Sequence, residues 1–216
     1  MVEMNQIEVW DDSWSKIIDH NLSETPFAKI VFERIKERDY KTLLDVGCGD
    51  GKDSIYFAKN GFEVTATDFS KVGISTLSEA NEKENLGISV IVKDTRKISF
   101  EEKFDVIYAN LSLHYFIDKE TREIISKLSN MLKEGGVFCI KCKSIEDSQF
   151  GQGEVVEENM FLINGKQIHL FSEEYLRDLL KDFDIIHLKS YTEMHVRMSG
   201  NNDKSGFIEV IAEKVN

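Results

Sequence analysis

Proline occurs once in the 216 residues and glycine 13 times, so neither a collagen-like repeat nor a linker-dominated chain is present. Cysteine is scarce and odd in number. Cys48, Cys139 and Cys142 offer no disulfide framework and suit a reducing compartment. The last two have C-x-x-C spacing, but they lie in the apolar run Val137-Phe138-Cys139-Ile140-Lys141-Cys142. On a strand, residues three apart face opposite sides, so these thiols are expected to be small buried residues and not joint ligands of one ion. No apolar run approaches the roughly 18 residues of a membrane span. The opening stretch, with Glu3, Glu8, Asp11 and Asp12, has no signal-peptide pattern, and a cytoplasmic protein is expected. Positive charge is also short: 27 Lys and Arg against 39 Asp and Glu leave −12. With no Lys/Arg cluster to offset that field, neither a nucleic-acid backbone nor an anionic membrane is an expected partner.

What remains is an ordinary globular composition, 41% hydrophobic and 31% charged, read as one domain over 1–216. Residues 1–40 carry two helical patterns. Trp10, Trp14, Ile17 and Ile18 recur at helical spacing, and Thr25-Pro26 opens a second helix with Phe27, Ile30, Val31 and Ile35 on one face. From 41 to 142 strands and helices alternate. Strands are read at 42–46, 63–67, 88–92, 104–109 and 137–142, and helices at 52–60, 71–85 and 119–133. Continuous apolar strands alternating with helices predict an α/β fold, a parallel sheet covered on both faces. Residues 143–170 form an insertion in which Asn164-Gly165 between apolar flanks signals a hairpin. In 171–216, Ser172 caps a helix through Asp182, and two strands, about 184–194 and 205–212, read as antiparallel.

The densest signal is Leu44-Asp45-Val46-Gly47-Cys48-Gly49-Asp50-Gly51, after a strand and at a helix start. Glycines there let a ligand approach the backbone, and the helix N-terminus offers free N–H groups to an anion. Asp68 ends the next strand, 68 − 47 = 21 residues after the first glycine, the distance at which an acid reaches ribose hydroxyls in doubly wound folds. The dinucleotide pattern G-x-G-x-x-G would need glycine at 52, where Lys52 stands. That weakens a diphosphate reading and favours a ligand with a zwitterionic amino-acid tail, its carboxylate on the loop amides and its cations near the acids.

The run Leu43 to Gly51 resembles the first motif of class I S-adenosylmethionine-dependent methyltransferases. Asp68 matches the family's acid after the second strand. Val92-Lys93-Asp94-Thr95, Phe104 to Asn110 and the turn Leu132-Lys133-Glu134-Gly135-Gly136-Val137 resemble later motifs in family order. Residues 49–66 are similar to small-molecule methyltransferases of the tellurite-resistance and thiopurine types. The resemblance implies a Rossmann-like seven-stranded sheet of order 3-2-1-4-5-7-6, strand 7 antiparallel, with helices on both faces. It implies S-adenosyl-L-methionine as cofactor. Gly47, Gly49 and Gly51 would shape the loop and Asp45 orient it. Asp68, with Phe69 beside it, would bind the ribose, Asp94 and Thr95 the adenine, and Asn110 the methionine part.

Methyl transfer from a sulfonium is an in-line displacement that releases a neutral thioether, so a base is needed only if the acceptor must first lose a proton. His114, after the fourth strand, either acts as that base or lines the cofactor. His169, in the insertion, is the second catalytic candidate. Trp14, Tyr115 and Arg197 are candidate substrate contacts. Trp10 and Trp14 either form a lid or pack a helix onto the sheet. No metal-ligand spacing is present. Substrate recognition is expected from 1–25, 143–170 and 194–206, whose acidity suits a neutral or cationic small molecule. Two readings compete with methyl transfer: a nicotinamide-dependent oxidoreductase, and a non-catalytic module that senses the cofactor or its demethylated product.

Overall fold

The computed structural model describes residues 6–16, 22–196 and 202–215. Helix α1 spans Gln6–Ser15 and has no fully buried residue. Helix α2, Pro26–Ile35, starts where Thr25 accepts from the Ala28 N–H at 3.2 Å and Pro26 presets the first turn. It buries Phe27, Ala28, Val31 and Ile35, close to the face read from their spacing.

The core then runs β1 Thr42–Val46, α3 Lys52–Lys59, β2 Glu63–Asp68, α4 Lys71–Glu84, β3 Ser89–Val92, β4 Phe104–Asn110, α5 Asp118–Asn130 and β5 Leu132–Lys143. After the three short strands β6 Glu154–Glu157, β7 Met160–Ile163 and β8 Lys166–His169 come α6 Glu173–Leu179, β9 Phe183–Val196 and β10 Asn202–Lys214. The large sheet has the order β3-β2-β1-β4-β5-β10-β9. β1 to β5 pair in parallel, and β10 lies antiparallel between β5 and β9. This is the expected order, with β9 and β10 as the sixth and seventh strands of the sheet.

Two apolar cores flank the sheet. One joins Leu44, Ile107, Phe138 and Ile140 to Ile124 and Leu128 of α5 and Leu176 of α6. The other joins Leu43, Tyr108 and Val137 to Phe27 of α2, Phe57 of α3 and Leu77 of α4. Cys139 belongs to the second core and Cys142 to the first, so the two thiols do face opposite ways. Among the described residues, no helix is long and apolar enough to cross a membrane.

Several boundaries differ from the sequence reading. α5 stops at Asn130 and β5 begins at Leu132, so the predicted turn at 132–137 is strand. Leu132 pairs with Phe104 and Val137 with Val106. Lys133 to Gly136 are therefore a bulge against β4, with Gly135 at φ 72°. α6 ends at Leu179, three residues short of the reading. The strand β6 was not foreseen, because Glu154-Val155-Val156-Glu157 lacks alternation and Val155 is exposed. β7 and β8 flank Asn164 and Gly165, both at positive φ, which is the tight hairpin turn their sequence signals. The insertion packs Phe161, Ile168 and Leu170 against Tyr115.

Candidate active site

Parallel strands in this order bring the C-terminal ends of β1, β2 and β4 together, and the glycine loop turns there. Gly47 and Cys48 donate to the Thr67 carbonyl at 2.7 and 3.0 Å, and Gly51 donates to the Cys48 carbonyl at 3.0 Å. Gly47, Gly49 and Gly51 have φ of 74°, 56° and 79°, a region costly for other residues. Ser112, after β4, donates to the Val46 carbonyl at 2.6 Å and lies where a Gly47 side chain would be. Leu111 also adopts a left-handed backbone, φ 55°. Such strain in a bulky residue is held only where the surroundings force it, often at a functional site.

Four carboxylates, Asp45, Asp50, Asp53 and Asp68, are buried around this loop. Asp45 accepts from the Ser54 hydroxyl at 2.6 Å. Burial, with Asp53, Asp68 and Asp50 adding to it against the Ser54 bond, pushes its pKa up to about 8. Asp68 accepts from the Gly49 N–H at 2.9 Å and the Ser70 N–H at 2.8 Å. Burial raises its pKa above the ordinary value despite those bonds. Phe69 sits between Asp68 and Ser70, and Lys93 donates to the Asp68 carbonyl at 2.8 Å. That bond brings Asp94 and buried Thr95 beside the end of β2. Arg96 grips the Asp94 carboxylate at 2.7 and 3.1 Å. Burial pushes the Asp94 pKa up, but the Arg96 bonds outweigh it and hold the group below its ordinary value.

Sequence reading gave Asp53 no role. In the structure, its carboxylate accepts from the Thr25 N–H and hydroxyl, the Tyr108 hydroxyl and the Asn110 amide at 2.7 to 3.0 Å. The Asn110 carbonyl oxygen is buried without a hydrogen-bond partner, an arrangement that native structures rarely leave unexplained.

His114 is buried, its ring 4.1 Å from that of Tyr115 and its Nδ1 without a partner. Burial, with Lys143 and His169 adding to it, drives its pKa down to about 3. His169 is buried too. Burial lowers its pKa against the pull of Glu157, Asp118 and a bond to the Phe116 backbone, and its Nδ1 has no partner. Trp14 lies against the glycine loop and not on the insertion side: a side chain at Gly49 would overlap its ring, and one at Gly73 would come within 3.1 Å of its indole nitrogen. The rest of α1 spans the site. Ser70 donates to Asp11, Gln6 donates to the Gly165 carbonyl, Trp10 meets the Tyr115 ring edge-on at 4.7 Å, and Lys166 stands 3.9 Å over Trp10. Arg197 lies outside the described residues.

Known proteins show the same architecture. The family model for the methyltransferase domain matches residues 43–136. TehB of Haemophilus influenzae is 27% identical over 174 residues, 80% of this chain and 57% of TehB. The chain thus spans less than two thirds of that relative's length. The malonyl-[acyl-carrier protein] O-methyltransferase of Enterobacter lignolyticus is 30% identical over 120 residues, 55% of this chain and 45% of that enzyme. The TehB crystal structure superposes with a TM-score of 0.73 at 23% identity, covering 95% of this chain and 67% of that one. A Burkholderia thailandensis structure, 1,6-didemethyltoxoflavin-N1-methyltransferase with bound 1,6-didemethyltoxoflavin and S-adenosylhomocysteine, gives 0.73 at 18% identity, covering 98% and 86%.

Proposed function

We propose that the chain is a class I S-adenosylmethionine-dependent methyltransferase, which transfers a methyl group to a small-molecule acceptor by in-line displacement. The observation that carries this is the acidic field of Asp50, Asp53 and Asp68, buried with the protonated Asp45 around a left-handed glycine loop. Such a field opposes a diphosphate and attracts a ligand bearing an ammonium and a sulfonium, which speaks against the nicotinamide reading. The orphaned Asn110 carbonyl at the same strand ends supplies an acceptor of the kind such a ligand needs. The residues therefore fit the cofactor. Gly47, Gly49 and Gly51 would admit its amino-acid tail, Asp68 with Phe69 the ribose, Asp94 and Thr95 the adenine, and Asn110 the ammonium.

When bound, the cofactor supplies a methyl group on a positively charged sulfur that leaves as a neutral thioether. The protein then needs chiefly to align the acceptor, worth about 7–11 kcal/mol at best. With a pKa near 3, His114 is neutral at physiological pH and too weak a base to hold a proton. Its unpartnered Nδ1, like that of His169 in β8, would accept a hydrogen bond from a group brought against it. Tyr115, the insertion and α1 would enclose the acceptor. The B. thailandensis structure has both 1,6-didemethyltoxoflavin and S-adenosylhomocysteine bound, which supports a small-molecule acceptor here. Three free thiols suit the cytoplasm.

Calorimetric titration tests the reading: S-adenosylhomocysteine should bind and NAD should not. Turnover against an acceptor panel then separates the enzyme from a sensor, because only the enzyme releases S-adenosylhomocysteine. Binding of NAD in place of the nucleoside thioether would overturn the assignment.

A further inference from the structure

We propose that Asp53 is a positioning residue that acts through Asn110 to make the site select ligands bearing an ammonium group. The inference rests on the S-adenosylmethionine reading and names how one part of that ligand is recognised. Asp53 sits in the first turn of α3, where the helix dipole favours a carboxylate. Its Oδ2 draws the Asn110 Nδ2 at 3.0 Å, and the same nitrogen lies 3.4 Å from the Thr25 hydroxyl. These contacts decide which way the amide faces. Turned around, its oxygen would meet the Asp53 carboxylate, acceptor against acceptor. The carboxylate therefore forces Oδ1 away from α3, and there it is buried with no donor. A buried carbonyl held without a donor is completed by a cationic donor more strongly than by a neutral one, and the nearby acids reinforce that preference. The left-handed Leu111 and the Ser112 bond to Val46 hold the same stretch of chain in place.

The test uses three probes: S-adenosylhomocysteine, decarboxylated S-adenosylmethionine, which keeps the ammonium and lacks the carboxylate, and 5′-methylthioadenosine, which lacks both. Calorimetry on Asp53→Asn and Asn110→Ala should show about tenfold weaker binding (about 1.4 kcal/mol) of the first two probes, with methylthioadenosine unchanged. The double variant should be no worse than Asn110→Ala alone, since one residue acts through the other. A merely structural role would weaken all three probes together, and that result, or no change in any, overturns the inference. Should Asp53→Asn fail to fold, Asn110→Ala carries the same three-probe comparison. If the unaltered protein binds none of the probes, the S-adenosylmethionine reading falls first, and the inference falls with it.

Discussion

Gly51→Ala probes the junction on which the site is built. Gly51 has φ 79° and ψ 12° at the N-cap of α3. An alanine Cβ there would lie 2.5 to 2.7 Å from Cδ1, Cβ and Cγ of Leu77 in α4, a residue fully buried in the core. Two costs add. The left-handed backbone costs alanine about 1–2 kcal/mol, and overpacking a filled core costs about 1–3 kcal/mol, giving roughly 2–5 kcal/mol together. Gly61→Ala is the control, since Gly61 has φ 91° but nothing within 4 Å of its Cβ position, so only the backbone cost remains. At about 2–4 °C per kcal/mol for a chain of this size, the Tm should fall by roughly 4–20 °C for Gly51→Ala and 2–8 °C for Gly61→Ala. Urea titrations should show the lower midpoint with an unchanged slope. Adding Leu77→Ala to Gly51→Ala should cost less than the sum of the two single changes, because the smaller side chain vacates the space. Equal losses at positions 51 and 61, or strict additivity with Leu77→Ala, would refute the claim that the loop is seated against α4.

Gly49→Ala should disturb α1, because its Cβ would overlap the Trp14 ring. In a double-mutant cycle Trp14→Ala should erase the contact part of that loss, whereas additive effects would mean that Trp14 does not rest on the loop. Asp45 gives a pH dependence. Its folded-state pKa is raised from 3.8 to about 8, so across that interval the folded chain holds a proton that the unfolded chain has released. Its contribution makes stability fall as pH rises from about 4 to about 8, then level off. Asp45→Asn should flatten the curve of urea midpoint against pH, and an unaltered curve would count against the buried proton. His114, with its pKa near 3, should give no inflection in kcat between about pH 5 and 8. An inflection there that His114→Asn removes would reinstate it as the general base.

Much of the fold was legible because local chemistry and tertiary fold agree. The Asn164-Gly165 turn, the Thr25-Pro26 helix start and the strand-glycine-helix run each follow from neighbours in sequence. The β5 boundary was hidden because a bulge opposite β4 exists only through pairing with Phe104 and Val106. Within the site, the loop and Asp68 could be read from spacing. Asp53 could not, since its partners stand 28, 55 and 57 residues away, and in sequence it is simply an acid in the first turn of a helix. The burial that disarms His114 is equally non-local, coming from the elements that close over it.

The two tryptophans of the chain both lie on α1, one over the glycine loop and one between Tyr115 and Lys166. Intrinsic indole fluorescence therefore reports on that single helix and on nothing else in the molecule. Lifting α1 would move both chromophores from packed surroundings into water at once, so an unlabelled sample carries its own optical gauge of whether the site is open.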